Sequence, residues 1–372
     1  MDLKNLVKSG NIIKDPTIFQ QSFIPHEIFE REETEKLGFA LASFIKYRVP
    51  TNTLVIGGAG GGKTVTSMYY QNEIKKLKLD KPLDIYYVNC KDYDTSFKIY
   101  SKLSINLKEK ISKNKVLHVF LKNQKNDCII ILDEINLLRD TDCLYSFSRP
   151  HEIEEDFKSS INLILISNNL YWDEILDSAT KSSLQLRSIL FSNYSTEQLK
   201  TILNMRIKIG LKEGSIDEGV LNYLVGKVIK ERVGDSRIAI SILDHASRKA
   251  ESKNKKKIDM EEVDEVFEES IKATEIAYIN KLDLKSLMIL YACSLSKDKK
   301  SKNIYEIYKK ICPNYGVSFL GYVSFHYYLD YLQSNNLIVL YKLRKGKSFI
   351  KEIELKMQNE MILKEVEKRF AK

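Results

Sequence analysis

Long apolar runs are missing from this sequence of 372 residues. No run approaches the ~20 consecutive apolar residues that a membrane-spanning helix needs. Residues 1–5 also lack the apolar core of a secretion signal. These absences predict a cytoplasmic protein without a membrane partner. The content of 43% apolar and 29% charged residues is typical of a globular protein.

Paired cysteines are missing as well. The five cysteines form no CxxC pair, and the five histidines show no spacing typical of metal ligands. Cys90 and Cys128 lie at or beside apolar segments that are predicted to be buried strands. We therefore expect reduced thiols in the core rather than disulfides or a zinc site.

The net charge of +9 is concentrated at one end of the chain. Residues 276–372 contain 18 Lys and Arg but only 9 Asp and Glu, so the positive and negative charges of the remaining residues cancel. A local excess of this kind indicates a polyanionic partner. Nucleic acid is favoured over a membrane surface because no amphipathic anchor is evident.

A glycine-rich run at residues 57–64 follows the apolar residues 53–56 and precedes a helical pattern. It fits the phosphate-loop pattern GxxxxGK[ST] in its strand–loop–helix context. Glycines let backbone N–H groups turn towards phosphates at a helix N-terminus. Lys63 supplies a positive charge, and the Thr64 hydroxyl can ligate Mg²⁺. The predicted contacts to a nucleoside triphosphate come from Gly57, Gly58, Ala59, Gly60, Gly61, Gly62, Lys63, Thr64 and Val65.

Further polar residues occur where they can complete this site. The apolar residues 129–132 end in Asp133, which is suited to hold Mg²⁺, and Glu134, which can act as general base. Asn168 follows the next apolar run and can contact a γ-phosphate, although it could instead cap a turn. Arg237 begins a later helix and can also reach a γ-phosphate. An isolated arginine there is more often a surface ion-pair partner.

Apolar runs recur with helical patterns between them, at residues 53–56, 83–88, 128–132, 161–166 and 189–191. This alternation predicts a parallel sheet covered on both faces. Residues 196–275 instead indicate several helices, with an exposed loop at 253–257 and a solvated amphipathic helix around 261–269. We expect an N-terminal tail at 1–20, an α/β domain at 21–192 and a helical domain at 193–275.

The last quarter has a different pattern. Helical periodicities at 284–295, 302–311 and 318–334 precede β-rich segments at 337–341 and 349–355. The predicted turn between those segments carries Arg344, Lys345 and Lys347. Three helices followed by a basic hairpin are typical of a winged helix, a variant of the helix-turn-helix. A helical oligomerisation domain with a solvated turn is the alternative for residues 276–372.

In these motifs the chain resembles the AAA+ ATPases, and among them the archaeal initiators related to the origin-recognition complex and the cell-division-cycle loading factor. The resemblance extends over residues 23–355. It is carried by the phosphate loop and by residues 24–32, 132–136, 166–169, 182–184, 194–206, 234–237 and 304–308. It implies an AAA+ parallel sheet with a helical lid, followed by a winged-helix domain.

The resemblance also implies roles for individual residues. Asn168 would be the first sensor and Arg237 the second. Tyr194 and Arg206 would line the nucleotide at the lid, and Arg31 would lie near the base pocket.

Two departures from the family pattern affect these expectations. The family pattern usually has an arginine shortly before residues 182–184, which could act on a neighbouring subunit's site. This chain has Ala179, Thr180 and Lys181 there instead. The candidates to replace that arginine are Lys181, Arg149 and Arg187. The third C-terminal helix carries no Lys or Arg, so base contacts would fall to Tyr322, Ser324, His326 and Tyr327. Several of these aromatic residues could instead be core. The basic turn would then carry most of the DNA binding.

The resemblance implies a slowly hydrolysing switch that uses ATP, ADP and Mg²⁺. Its expected partners are double-stranded origin DNA, the replicative helicase and a related initiator subunit, and its expected place is with the nucleoid. The departures favour a secondary or regulatory paralogue. Two alternatives stay open: a DNA-assembly ATPase of a mobile element or plasmid, and a signalling NTPase with a protein-binding winged helix.

Overall fold

The computed structural model describes residues 10–20, 22–104, 112–232, 234–334, 337–345, 348–357 and 359–370. The chain divides into two compact units, Met1–Val263 and Asp264–Lys372. This division falls within one helix, Met260–Lys281. The sequence placed the corresponding boundary at 275/276, where the charge and the pattern change.

Among the described residues of the first unit, the strands form one parallel sheet in the order β2-β3-β4-β1-β5. The strands are β1 Thr53–Gly57, β2 Leu83–Asn89, β3 Asp127–Asp133, β4 Ile161–Ser167 and β5 Arg187–Phe191. Each contains one of the apolar runs, so the predicted sheet is confirmed.

Apolar side chains cover both faces of the sheet. Alternate residues of β3 belong to different core clusters, with Ile130 and Leu132 on one face and Ile129 and Ile131 on the other. This burial on both sides explains the continuous apolar runs. Cys90 and Cys128 are fully buried in the same core, as expected.

The helices of the first unit connect the strands and then form a group of their own after β5. They are α1 Glu32–Tyr47, α2 Lys63–Lys76, α3 Ser96–Leu103, α4 Lys113–Asn123, α5 Asp142–Ser148, α6 Ser178–Leu184, α7 Thr196–Gly210, α8 Glu218–Arg232, α9 Ser236–Ser252 and α10 Met260–Lys281. The group that begins with α7 corresponds to the predicted helical lid. The helix containing 261–269 is amphipathic, since Val263, Val266 and Phe267 are buried.

The N-terminal segment, residues 10–20, is packed against the lid, so its description as a tail was wrong. Ile12 is fully buried, and its carbonyl accepts a hydrogen bond from Lys212 N at 2.8 Å. Lys14 N donates to Gly210 O at 2.8 Å. The backbone N–H groups of Ile12 and Ile13 both donate to Glu251 Oε1. Residues 1–9 of the expected tail lie outside the described residues.

The second unit contains a helical cluster and an antiparallel hairpin. Its remaining elements are α11 Leu284–Leu295, α12 Ser301–Ile311, α13 Tyr322–Ser334, β6 Ile338–Lys345, β7 Ser348–Leu355 and α14 Asn359–Phe370. This is the winged-helix arrangement that the sequence predicted, with a further C-terminal helix, α14, that it did not predict. Buried side chains from the three helices and the hairpin share one core, including Leu287, Tyr308, Phe325 and Ile353.

Two boundaries in this unit differ from the prediction. Helix α13 begins at Tyr322 rather than at 318. Arg344 and Lys345 belong to β6, where they pair with Phe349 and Ser348, so the predicted basic turn is shorter. Lys347 lies outside the described residues.

Candidate nucleotide site

The phosphate loop leaves the end of β1 and enters α2 through a backbone that favours glycine. Gly60 and Gly62 have φ angles of +75° and +84°, and Gly62 is the N-cap of α2. A Cβ atom at Gly60 would overlap the Asp235 carboxylate, and one at Gly62 would overlap the Tyr194 hydroxyl. The loop therefore needs glycine at both positions for conformation and for space.

Lys63 lies folded over this loop. Its Nζ donates hydrogen bonds to the carbonyl oxygens of Gly57 at 2.8 Å and Gly58 at 2.7 Å. Burial lowers the pKa of Lys63 to about 8, although Asp133 acts in the opposite direction. A buried ammonium group beside a helix N-terminus is suited to an anionic ligand.

Thr64 and Asp133 are brought together from α2 and the end of β3. Thr64 Oγ1 donates to Asp133 Oδ2 at 2.9 Å, and Tyr87 Oη donates to the same oxygen at 2.7 Å. Burial and the neighbouring Asp133 raise the pKa of Tyr87, which keeps the phenol protonated. A hydroxyl beside a carboxylate is an oxygen donor set that fits Mg²⁺.

Tyr87 was missed by the sequence analysis. It belongs to β2, which pairs with β3 in parallel register, with Asn89 opposite Asp133. The two predicted strands were visible in the sequence, but their adjacency was not. That adjacency is what places Tyr87 beside the carboxylate.

Glu134 and Asn168 follow adjacent strands. Glu134 is half-buried, has a left-handed φ of +54°, and its N–H donates to Asp133 Oδ1 at 2.9 Å. Asn168 N donates to Asn136 Oδ1 at 3.2 Å, which links the two strand ends. The turn after β4 is capped by Ser167 and Asn169 instead of Asn168. The catalytic roles of Glu134 and Asn168 stay predictions.

The lid contacts the phosphate loop through the start of α9. Ser236 Oγ donates to Gly60 O at 2.8 Å. Asp235 caps the helix by accepting from Arg237 N at 2.9 Å, and it also accepts from the Arg237 guanidinium at 3.0 and 3.3 Å. The predicted second sensor is thus held beside the loop by an ion pair with Asp235. Val233, which precedes this turn, lies outside the described residues.

Arg31 supports the loop itself. Its guanidinium donates to Ser192 O at 2.9 Å and to Gly61 O, and it packs on the Tyr194 ring at 4.4 Å. Burial raises the pKa of Tyr194. Arg31 is not among the residues that line the adjoining cavity. It stacks on Tyr194, which does line the cavity, so its expected place near the base pocket stays a prediction.

A cavity of about 760 Å³ adjoins Gly62 and Val65. Its volume is within the range of small-molecule sites. It is lined by residues from the N-terminal segment, from the stretch 23–29 before α1, from the start of α2, and from α7, α9 and the residue Tyr194 before α7. Among them are Phe19, Phe23, Tyr194, Met205, Arg206 and Arg237. Apolar and aromatic groups dominate this lining, as a nucleoside requires.

Arg206 lines the cavity, as the resemblance implied. Its guanidinium donates to Ile18 O and packs over the Phe23 ring at 4.5 Å. Burial lowers the pKa of Arg206 to about 10. This arginine therefore joins the N-terminal segment to the lid at the wall of the cavity.

The candidates for action on a neighbouring subunit differ in their contacts. Arg149 pairs with Glu152 at 2.7 Å and donates to Ser183 Oγ at 3.0 Å. Lys181 and Arg187 are exposed. A role for any of them in another subunit's site stays a prediction.

The candidate DNA contacts lie in the second unit. Tyr322, Ser324 and Tyr327 of α13 are exposed, whereas Phe325 between them is core. The His326 ring packs edge-on against Tyr322 at 4.7 Å, and burial together with Lys351 lowers its pKa. His326 is half-buried, and a role for it or its exposed neighbours in DNA binding stays a prediction.

Family models match the helical lid and the winged-helix region of this chain. The family model "Cdc6 AAA+ ATPase-type lid domain" matches residues 200–268, and "CDC6, C terminal winged helix domain" matches residues 276–365. The ORC1-type DNA replication protein 1 of Methanosarcina acetivorans is 29% identical over 376 residues, covering 95% of this chain and 89% of that protein.

Solved structures share the fold over nearly the whole chain. The Aeropyrum pernix ORC1 protein in complex with DNA has a TM-score of 0.76 and 21% identity, covering 98% of this chain and 99% of that one. The Aeropyrum pernix ORC2 protein in its ADPNP–ADP complexes has a TM-score of 0.61 and 19% identity, covering 97% and 100%. No helix in the described ranges is long and apolar enough to cross a membrane.

Proposed function

Because this chain belongs to the archaeal origin-recognition and Cdc6 family of AAA+ proteins, we propose that it is an ATP-switched initiator that binds double-stranded origin DNA. The observation that carries the nucleotide half of the proposal is the contact between Ser236 of the lid and Gly60 of the phosphate loop. Through this contact, a change at the loop acts directly on the start of α9.

The chain's own residues fit ATP with Mg²⁺. The loop leaves no room for side chains at Gly60 and Gly62, and Lys63 lies over it. Thr64 and Asp133 would hold the metal, and Arg237 would bind the terminal phosphate. When bound, the nucleotide supplies a γ-phosphate whose presence distinguishes ATP from ADP.

The contacts of two cations give the switch its physical basis. Lys63 is bonded to loop carbonyls, and Arg237 is bonded to Asp235. Each cation must exchange these partners to contact a phosphate, and Arg237 would carry the start of α9 with it. A ligand shifts such an equilibrium by its difference in affinity for the two arrangements.

Turnover is proposed to be slow. Glu134 lies at the end of β3 and is suited to orient water as general base. An arginine from a neighbouring subunit can supply a factor of about 10³ or more in phosphoryl transfer. This chain has no arginine at residues 179–181, which supports a switch with weak hydrolysis and a secondary or regulatory role.

The second unit would bind the DNA. Its winged-helix elements and the excess positive charge of residues 276–372 support duplex binding. A related protein of the same fold was solved in complex with DNA. Recruitment of the replicative helicase, pairing with a related initiator subunit and association with the nucleoid belong to the same proposal. Family membership favours it over the mobile-element and signalling alternatives.

Substitution of Lys63 by alanine tests the nucleotide half. Lys63→Ala is expected to abolish retention of ATP by the full chain, measured by equilibrium binding of a fluorescent ATP analogue. Lys76→Ala removes an exposed lysine at the other end of α2, which pairs with Glu73, and should bind normally. Equal affinity of the wild type and Lys63→Ala would refute the proposed site.

A further inference from the structure

Helix α13 presents an apolar stripe to solvent. Val323, Tyr327 and Tyr331 are 69%, 71% and 50% exposed. They are four residues apart, so they lie on one face of the helix. The opposite face is fully buried at Phe325 and Leu329. We call these three exposed residues the α13 stripe.

Residues 276–372, which include the α13 stripe, contain 18 Lys and Arg but 9 Asp and Glu. Of the lysines around the stripe, Lys309 pairs with Glu306 at 2.9 Å. Asp330 is the single acidic residue of α13, and Lys351 of β7 pairs with it at 3.2 Å. At the start of α13, the Tyr322 ring contacts Tyr305 of α12 at 5.0 Å, and Lys309 Nζ lies 5.2 Å from the Tyr305 ring centroid. An apolar row without a cation of its own, within a segment of net positive charge, is complementary to a groove whose edges are phosphates.

The chemistry of the α13 stripe limits what it can recognise in such a groove. Helix α13 has no Lys or Arg, so it lacks the side chains that form bidentate bonds to guanine. The apolar group that a base pair presents in the major groove is the thymine 5-methyl. Recognition helices contact bases mainly through their N-terminal residues. Val323 and Tyr327 lie within the first two turns of α13.

We infer that α13 selects duplex DNA by packing Val323 and Tyr327 against thymine methyl groups in the major groove. This inference rests on the proposed DNA-binding function and specifies what the site reads. Contacts to phosphates would come from lysines around the α13 stripe and would carry no sequence information. A protein partner on the α13 stripe is the competing outcome.

The test uses deoxyuridine, which pairs like thymine but lacks the methyl group. A duplex is selected from a random pool by the full chain with ATP, then resynthesised with every thymine replaced by deoxyuridine. Affinity for both duplexes is measured by fluorescence anisotropy at several salt concentrations. Affinity should fall about four-fold for each contacted methyl group, the factor for exposing one methyl-sized apolar group. The salt slope should not change, because the phosphate contacts remain.

Variants identify the side chains responsible. The double variant Val323→Ala, Tyr327→Ala should bind the two duplexes equally, and both substitutions are at exposed positions that the fold tolerates. Tyr47→Ala removes a 62% exposed tyrosine from α1 and should keep the full preference for thymine.

Three outcomes would overturn the inference. Equal wild-type affinity for the thymine and deoxyuridine duplexes refutes methyl recognition. A preference that persists in the double variant shows that other residues, or the shape of the duplex, are responsible. Failure to select any duplex from the pool overturns the proposed DNA-binding function as well, which distinguishes the two proposals.

Discussion

At the scale of single residues, the phosphate loop and the contact between Thr64 and Asp133 follow directly from the sequence. Thr64 and Asp133 are distant in the chain, yet their contact at 2.9 Å was predictable because polar residues at the carboxyl ends of parallel strands meet at one edge. Tyr87 and Arg31 were not predictable in the same way. Their contacts depend on which strands are neighbours and on a helix entry that packs behind the loop.

Gly60 offers a test at this scale. Gly60→Ala should reduce ATP affinity at least about ten-fold, because a methyl group would displace the Asp235 carboxylate and with it the start of α9. The left-handed backbone adds a cost of roughly 1 kcal/mol. Isothermal titration with ATP measures the change.

Gly214→Ala is the matched control for Gly60→Ala. Gly214 has a φ of +74°, almost the same as Gly60, but its Cβ position has nothing within 4 Å. Both variants should lose stability, whereas only Gly60→Ala should lose affinity. Similar ATP affinities in the two variants would contradict the role of the Gly60–Asp235 contact.

At the scale of elements, the sheet and most helices were predicted because they depend on local periodicity. The N-terminal segment was not, because its partners are far away in the sequence. Ile12 and Ile13 bond to Glu251, more than 200 residues later. The polar start of the chain gives no periodic pattern that would reveal this pairing. The segment is therefore a structural part of the lid.

Ile12→Ala tests that role. Ile12 is fully buried, and truncation of such a side chain costs about 2–5 kcal/mol. A comparable loss in the free energy of unfolding, measured by urea denaturation, is expected. Asn11→Ala changes the exposed neighbouring position and should have little effect. Equal stability of both variants would show that the segment does not pack as described.

The lysine-rich turn before α10 is mostly exposed, as expected, but two of its lysines make ion pairs that the sequence did not predict. Lys253 and Lys255, read from sequence as an exposed loop, bond to Glu262 Oε1 at 2.9 and 2.8 Å. Burial alone would raise the pKa of Glu262, but these hydrogen bonds outweigh it and hold the pKa at about 2. The ionised carboxylate therefore stabilises the folded chain.

The contacts of Glu262 with the two lysines predict a pH dependence of the free energy of unfolding. An unfolded glutamate titrates near about 4.3, so the stabilisation is complete above that pH and is lost as the pH falls towards 2. Glu262→Gln should lower the free energy of unfolding by on the order of 2 kcal/mol at pH 7. The difference from wild type should shrink at pH 3.5.

Glu261→Gln, at a 64% exposed position, is the control and should show a much smaller difference. A difference in the free energy of unfolding between wild type and Glu262→Gln that is constant with pH would contradict the lowered pKa of Glu262.

At the scale of the whole molecule, the sequence predicted an α/β region, a helical lid and a winged helix, and this order is confirmed. The predicted boundary at 275/276 coincides with the start of the match to the winged-helix family model at residue 276, whereas the compact units divide earlier, inside α10. Because α10 is continuous across the division between the units, the sequence has no glycine or proline there to mark it. The charge distribution supports the proposed polyanion partner, because the excess of positive charge lies in residues 276–372.

The salt dependence of DNA binding tests this assignment. Combined substitution of Arg344, Lys345 and Lys347 by alanine should weaken duplex binding and reduce the slope of log affinity against log salt by about one unit per lost phosphate contact. Combined substitution of Lys75, Lys76 and Lys78 removes the same charge from exposed positions in the first unit and should leave the slope unchanged. Identical slopes for wild type and the first variant would exclude these residues from the interface.

The most direct measurement is a crystal structure of the full chain with a non-hydrolysable ATP analogue and Mg²⁺. We predict phosphates against the backbone at residues 60–64, with Lys63 moved from the Gly57 and Gly58 carbonyls onto them, and the metal on Thr64 and Asp133. Arg237 should have exchanged Asp235 for the terminal phosphate. A saturating analogue bound elsewhere, or Lys63 still bonded to the Gly57 and Gly58 carbonyls, would contradict the account.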